Sequence, residues 1–373
     1  MVLLAWQWAA GARFPLHARS NGEGPARPIT VLKPVKGCDA QTDACLRSWF
    51  TQDGAAPVQI LIGVSSVEDP ACAVARQLMA EFPGVDAELV LCGEALGANP
   101  KVFKLAALEK KARHDILVVS DADVLAPPDL LSQVVRPLER KEVGLVNCFY
   151  KMAPAMNLAM RCEAIAINAD FWAQVLQSNG LRPMRFALGA VVALRRDVLR
   201  RVGGFESVAH CLADDYQLGA RIARAGFKIE LSPIVVECRS DPMGWGAVWK
   251  HQLRWARTIR ACQPIPYFLT VLANASLWPL LVLLARPSPE SAAFAAACWG
   301  ARILAALDLK RRYEAGPWQV SHAPAVLLKD LLQFGLWAFA FLGNKVEWRG
   351  EALTLGRCGV LRSRPAKSGP VGE

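Results

Sequence analysis

Two aspartates one residue apart, Asp121 and Asp123, directly follow the apolar run Asp115 to Ser120 (DILVVS). A short continuous run of this kind reads as a buried strand. Carboxylates two positions apart at a strand end can face one divalent ion and its bound diphosphate. Mg2+ and Mn2+ prefer such oxygen ligands and usually keep waters and substrate phosphates in their shells. The chemistry this pair points to is Lewis-acid neutralisation of a departing nucleoside diphosphate. An Asp-x-Asp pair alone is weak evidence, and it gains weight from other residues along the chain.

Glu68-Asp69-Pro70 follows a second β-branched run, Val58 to Val64 (VQILIGV). Asp69 reads either as an acceptor for a base or ribose or as the cap of a helix whose first residue is Pro70. Asn99-Pro100-Lys101 opens an amphipathic stretch, where Lys101 would either meet a phosphate at a helix N-terminus or stand in solvent. Asp214-Asp215-Tyr216 offers adjacent like charges. If poorly solvated, they raise one pKa and suit Asp215 to act as a general base; otherwise they are acids favoured by a helix dipole. In His251-Gln252-Leu253-Arg254-Trp255, Arg254 could hold a diphosphate in bidentate fashion and Trp255 could wall an acceptor site. The other reading is headgroup binding by Arg254 and interfacial anchoring by Trp255.

The elements that must position these residues alternate. Strands are expected at Ile29 to Leu32, Val58 to Val64, Ala87 to Cys92 and Asp115 to Ser120. Between them, helices are expected at Ala44 to Phe50, Pro70 to Phe82 and Lys101 to Arg113. The alternation predicts an α/β domain with a mostly parallel sheet, whose ligands bind beyond the carboxyl ends of the strands. Further on, the pattern predicts a helix over 128–140, a strand over 143–149, a helical stretch over 155–178, a loop at Gly203-Gly204, a helix over 211–225 and a strand at Lys228 to Ser232.

The chain has 373 residues, a net charge of +10 and 53% hydrophobic residues. The apolar excess gathers after residue 267, which implies a region with a different solvent. Basic balance fits nucleic acid, phospholipid headgroups or a phosphorylated substrate. Twelve Trp against four Tyr, with no basic low-complexity arm, favours a membrane interface over nucleic acid. Eleven Cys without a C-x-x-C pair and five scattered His point to reduced thiols rather than a disulfide framework, zinc site or His-built metal site. Residues 244–261 read as a basic, Trp-bearing helix in the headgroup plane, with Lys250, Arg254, Arg257 and Arg260 at helical spacing. Phe268 to Ala285 suits a membrane span kinked at Pro279. Ala292 to Leu307 and Val326 to Leu342 are further apolar runs, interrupted by Arg302 and, near the start of the last, by Lys329 and Asp330. If the first two runs form a hairpin, the positive-inside rule places the basic helix in the cytoplasm; the third run would then be interfacial or re-entrant. The apolar start, Met1 to Ala12, reads as the remnant of an anchor helix or as an interfacial tail, followed by a Pro/Gly-rich linker over 13–28.

The order of these motifs resembles the inverting glycosyltransferases of GT-A fold, and most closely family 21, the ceramide glucosyltransferase-like group. The matching stretches are LKPVKGCD (32–39), EDPACAVARQL (68–78), GANPK (97–101), SDADVLAPPDL (120–130), ADDY (213–216) and HQLRW (251–255). The chain is also similar to hopanoid-associated glycosyltransferases of bacteria, which transfer N-acetylglucosamine to a polycyclic lipid. His251 departs from the motif, where Gln or Arg is common, and Ala122 stands where Ser is frequent. The resemblance implies a GT-A domain over 29–243, an interfacial region over 244–267, membrane helices over 268–345 and a basic tail over 346–373. It implies that Asp69 holds the nucleotide, that Asp121 and Asp123 bind a Mg2+- or Mn2+-diphosphate of a UDP-sugar, and that Asp215 is the base. Lys101 and Arg254 would meet the phosphates. Asp214, His251 and Trp255 would stand at the donor–acceptor junction. The implied partner is a lipid acceptor such as ceramide or a hopanoid at the cytoplasmic face of a bacterial inner membrane. A processive polysaccharide synthase shares the motifs but needs more spans, and a scaffold without catalysis would not need the full set of acids.

Overall fold

The computed structural model describes residues 1–20, 27–54, 56–93, 98–348 and 351–362. Part of the 13–28 linker, Gly97 of the 97–101 stretch and most of the basic tail lie outside them.

A helix α1 (Val2–Arg13) precedes the first strand β1 (Ile29–Pro34). Then come α2 (Thr42–Phe50), β2 (Val58–Val64), α3 (Ala71–Glu81), β3 (Asp86–Leu91), α4 (Pro100–Lys111) and β4 (Ile116–Ser120). These match the expected alternation within a few residues. Strands β1, β2 and β4 are almost wholly buried, which is why they read as unbroken apolar runs: helices cover both faces of a parallel sheet. β1 pairs in parallel with β2 on one side and with β4 on the other, and β2 pairs in parallel with β3. The chain therefore runs outward from β1 through β2 to β3, then returns to place β4 on the far side of β1. The crevice beyond β1 and β4 is a topological switch point, where an open α/β sheet binds ligands.

Past β4 the sheet becomes mixed. A short β5 (Val124–Leu125) is followed by α5 (Leu130–Val135), β6 (Val143–Met152), α6 (Leu158–Ile165), a π-helical turn over Ala166–Phe171 and α7 (Trp172–Leu181). Next are β7 (Val191–Arg195), α8 (Arg196–Arg201), α9 (Asp214–Arg224) and β8 (Lys228–Cys238). The eight strands lie in the order β3-β2-β1-β4-β7-β6-β8-β5. β7 is antiparallel to both β4 and β6, β8 is parallel to β6, and β5 is antiparallel to β8. Parallel pairing thus dominates the first half, and β7 turns the second half into a mixed sheet. Strand β7 has no counterpart in the sequence reading, because five apolar residues between helical stretches do not declare a period. β8 runs six residues past its expected end. The register shift opposite Cys148 and Phe149 accommodates Pro233, since proline cannot donate to a regular ladder.

The C-terminal part is helical: α10 (Trp245–Cys262), α11 (Pro264–Leu269) with a 3-10 turn over Thr270–Ala273, α12 (Leu277–Ala285), α13 (Pro289–Glu314) and α14 (Ala323–Phe341). Among the described residues, α13 and the helix ending at Phe341 are long and apolar enough to cross a membrane; α11 and α12 would add a third span only as a pair bent by 57°. The run 268–285 is therefore not one helix kinked at Pro279. Pro279 falls in the first turn of α12, where proline costs no hydrogen bond, and the break lies at residues 274–276. Asn274 repairs it: its Oδ1 accepts from Ser276 N and Leu277 N, and its Nδ2 donates to Asp330 O at 2.8 Å.

The charges that interrupt the later runs are gathered in one buried cluster. Arg302 donates from Nη2 to Asp170 at 2.7 Å and from Nε to Asp330 at 2.8 Å, and Lys329 pairs with Asp170. Two cations and two carboxylates balance, as charge in an apolar setting requires. The cluster ties α13 and α14 to the π-helical turn beside the sheet. The basic helix α10 has protein partners for several cations. Lys250 pairs with Glu347 at 2.9 Å, Arg257 donates to the carbonyls of Lys345 and Phe339, and Arg260 donates to Gly343 O at 3.1 Å. Guanidinium groups thus meet a carbonyl in the last turn of α14 and two in the segment just after it. A small antiparallel sheet of β9 (Lys345–Trp348), β10 (Glu351–Leu355) and β11 (Leu361–Arg362) follows.

Candidate active site

The loops beyond β1, β2 and β4 converge at the switch point. Asp69 Oδ1 accepts from Gly37 N at 3.0 Å and from Ala71 N at 3.0 Å, and Oδ2 accepts from Gly37 N at 3.1 Å. The capping reading of Asp69 therefore holds, since Ala71 opens α3. The same carboxylate also pins the loop after β1.

Lys101 stands in the first turn of α4. Asn99 caps that helix, accepting from Lys101 N at 3.0 Å and Val102 N at 3.3 Å, while its amide donates to Cys211 O at 2.7 Å. Lys101 Nζ reaches Asp121 Oδ1 at 2.6 Å and Asp214 Oδ2 at 3.5 Å. Burial opposes its charge, yet Asp121, Asp214 and Asp215 outweigh that cost and hold its pKa above the usual lysine value. Lys101 is thus neither a solvated lysine nor isolated; it joins the two acidic motifs.

The Asp121–Asp123 turn is braced on several sides. Asp121 N donates to Ala190 O at 3.1 Å, just before β7, and Arg239 N donates to Asp123 O at 2.9 Å, just after β8. Beneath it Lys33, fully buried on β1, donates from Nζ to Ser120 Oγ at 3.1 Å and to Asp121 O, and lies 4.9 Å from the centre of the Trp49 ring. Burial lowers the Lys33 pKa to about 8, against the pull of neighbouring Cys45, Asp123 and Asp121. Lys33 was not singled out in the sequence. Its signal was a lysine inside an otherwise apolar strand.

Asp215 begins α9. Its Oδ1 accepts from Tyr216 N at 2.7 Å. A Cβ on Gly189 would sit 2.8 Å from Asp215 Oδ2, so a glycine is what lets the carboxylate lie against the loop leading to β7. That loop is fixed by buried Asn147, whose Oδ1 accepts from Leu188 N at 3.0 Å. Burial, and then the Asp214 carboxylate, push the Asp215 pKa up to about 7.

The His251–Trp255 stretch reaches this cluster through aromatic rings. Trp255 packs edge-on to Tyr150 at 6.2 Å, lies 6.2 Å from Phe171, and meets the His251 ring at 5.1 Å. Tyr150 is buried on β6, and its pKa is raised well above the usual value by burial and by Cys238, Asp215, Asp121 and Asp123. The ring behind which Trp255 sits is therefore within electrostatic reach of the acids. His251 Nδ1 lies 2.6 Å from Glu163 Oε1, and Gln252 donates to the same oxygen at 2.8 Å. Arg254 is half-buried on the same helix. Glu163 went unread, although it is a lone acid in an apolar helix (RCEAIAI).

Asp121 and Asp123 form no group of three with another His, Cys, Asp or Glu among the described residues. Asp123 is exposed and Asp121 is 37% exposed. A donor set of two open carboxylates fits an ion that takes its remaining oxygens from water and a bound diphosphate, the habit of Mg2+ and Mn2+.

The model of the family described as glycosyl transferase family 21 matches residues 2–360. The chain belongs to glycosyl transferase family 21. Its relatives include ceramide glucosyltransferase 3 of Caenorhabditis elegans, 22% identical over 74% of this chain and 59% of that protein. Ceramide glucosyltransferase of Komagataella phaffii is 37% identical over 30% of this chain and 23% of that protein. The family 21 chain thus spans less than two thirds of the length of these curated relatives. Among solved structures it resembles the mannosyltransferase PcManGT from Pyrobaculum calidifontis in complex with GDP-Man and Mn2+. That likeness has a TM-score of 0.51 and 21% identity, over 89% of this chain and 95% of that one. The shared feature is the fold: a mixed α/β sheet of GT-A type, followed in this family 21 chain by apolar helices.

Proposed function

We propose that this family 21 chain transfers a hexose, glucose or N-acetylglucosamine, from a UDP-sugar to a hydroxyl of a membrane lipid, with inversion at the anomeric carbon. The observation that carries the reading is the convergence of Lys101, Asp121, Asp214 and Asp215 at the sheet's switch point, with Trp255 of α10 backing onto it through Tyr150. Apolar helices follow that aromatic wall directly. A lipid headgroup can then reach the acids without leaving the bilayer.

In this reading Asp69 lies beside the nucleoside and holds the loop after β1. Lys101 and Arg254 bind the diphosphate and orient it along the crevice. Asp121 and Asp123 hold Mg2+ or Mn2+, which supplies charge neutralisation of the leaving diphosphate. Asp215 accepts the proton of the acceptor hydroxyl, whose oxygen attacks the anomeric carbon as its bond to the diphosphate breaks. A pKa near 7 suits that role, because a general base works best with a pKa near the operating pH. In this reading the enzyme sits in a bacterial inner membrane with its sheet on the cytoplasmic side, and ceramide or a hopanoid is the acceptor. Because α13 and the helix ending at Phe341, with at most the bent pair, are the candidate spans among the described residues, a single transfer is favoured over processive export.

The test uses membranes containing the full chain, incubated with labelled UDP-glucose or UDP-N-acetylglucosamine and with ceramide or bacteriohopanetetrol, with products identified by mass spectrometry. A glycolipid is expected with one pair. Asp215→Asn should reduce turnover at least about a thousandfold while UDP still binds; near-normal turnover in that variant would remove Asp215 from the mechanism.

A further inference from the structure

Glu163 is 2% exposed on α6 and serves two residues of the His251–Trp255 motif at once. A buried carboxylate is costly unless hydrogen-bonded. Its partners here come from one turn of α10, so the cost is offset only when α10 presents His251 and Gln252 together. An ionised carboxylate can only accept, which makes His251 Nδ1 the donor. In the neutral imidazole this fixes the tautomer and leaves a lone pair at Nε2.

His251 Nε2 makes no hydrogen bond within the described residues, and the side chain is 25% exposed. The ring is held against Trp255, which also packs on Tyr150, a ring within electrostatic reach of Asp215. An open ring nitrogen is thus held two aromatic rings from the acids, on the helix that leads into the apolar region. The reading of His251 as a satisfied structural histidine accounts for Nδ1 but leaves Nε2 without a role.

We propose that Glu163 and His251 form an acceptor-recognition dyad, in which His251 Nε2 takes a hydrogen bond from a second hydroxyl or amide N–H of the lipid acceptor, beside the hydroxyl that is glycosylated. The dyad rests on the glycosyltransferase reading above and names its acceptor class: lipids with at least two neighbouring hydrogen-bond donors in the headgroup. Glu163 is a positioning residue; it sets the ring's tautomer and angle without touching the lipid. Glutamine at position 251 also carries an accepting oxygen, so His251→Gln should be tolerated where an apolar ring is not.

The experiment measures, in the membrane-bound full chain, the acceptor KM, kcat and the Kd for UDP of His251→Phe, His251→Gln and Glu163→Gln, using whichever of ceramide or bacteriohopanetetrol the wild type glycosylates. His251→Phe should raise the acceptor KM about tenfold, the size of one net hydrogen bond, and Glu163→Gln should raise it less, since its amide oxygen still accepts from Nδ1. His251→Gln should stay within about threefold of wild type, and UDP binding should be unchanged in all three. With an alkan-1-ol as acceptor, which carries no second donor, the difference between wild type and His251→Phe should vanish. An unchanged acceptor KM in His251→Phe with intact UDP binding overturns the dyad while leaving the transferase reading in place. A parallel loss of UDP binding in that variant also overturns it, because the role would then be structural. Absence of wild-type transfer to either lipid overturns the transferase reading, and the dyad with it.

Discussion

Asp215 lies among charges of both signs, and those charges fix how it should titrate. Burial and Asp214 raise its pKa, while Lys101 lowers it. A carboxyl raised to about 7 is protonated below that pH, and a base must be ionised. The kcat/KM of the free enzyme should therefore rise with pH through about 7 and level off above it. Asp214→Asn removes the largest raising influence after burial, so that limb should move to lower pH; a limb that stays in place would show that Asp215 is not the group seen. Linkage has the opposite sign. A carboxyl raised in the fold contributes stability below its unfolded value of about 4, and that contribution is lost as pH rises through about 7. Gly189→Ala places a methyl 2.8 Å from Asp215 Oδ2. It should lower kcat at least about tenfold by displacing the carboxylate, with a smaller effect on Tm, since the clash is with a side chain at the edge of the cleft.

At the scale of elements, the contact between the sheet and the apolar helices depends on buried ion pairs. Arg302 of α13 reaches Asp170 in the π-helical turn and Asp330 of α14. Arg302→Met leaves Lys329 to balance two carboxylates and should destabilise the detergent-solubilised protein by about 3–5 kcal/mol, read as a fall in Tm. A double replacement, Arg302→Met with Asp330→Leu, restores the charge balance around Asp170 and should recover much of that loss. If the single and double variants melt together, the pairs do not hold the helices to the sheet. The π-helical turn has its own consequence, because it inserts an extra residue and lets Asp170 face Arg302 while Phe171 packs on Trp255.

For the whole molecule, the segment after α14 folds back on the catalytic side. Leu212 N donates to Gly359 O at 2.9 Å, Leu361 N donates to His210 O at 2.6 Å, and Gln217 donates to Cys358 O at 2.7 Å. The residues just before Asp214 are thus held by the far end of the chain. Ending the chain after Gly343 should leave UDP binding largely intact but reduce transfer at least about tenfold, since Asp214 and Asp215 lose the strand that fixes their approach. Equal activity of full and shortened chains would show that α9 is positioned from within the sheet.

Burial pattern and local chemistry were enough to read the first four strands, the helices between them and the candidate acids at their ends. β1, β2 and β4 are buried on both faces, so each declares itself as an apolar run, and Asp121 and Asp123 follow directly. Asp69, Lys101 and the pair at 214–215 carry local signals, because caps and helix starts depend on neighbours in the chain. Only the tertiary structure decided between some of the alternatives left open at these residues: Asp69 caps α3, and beyond that reading it pins Gly37. Lys101 bridges acids far apart in sequence, and Lys33, Tyr150, Glu163 and Gly189 gain their place only through partners at long range. The strand β7 and the break at 274–276 were illegible for the same reason. Pairing direction and side-chain repair of a helix break are set by residues far along the chain, and no local period records them.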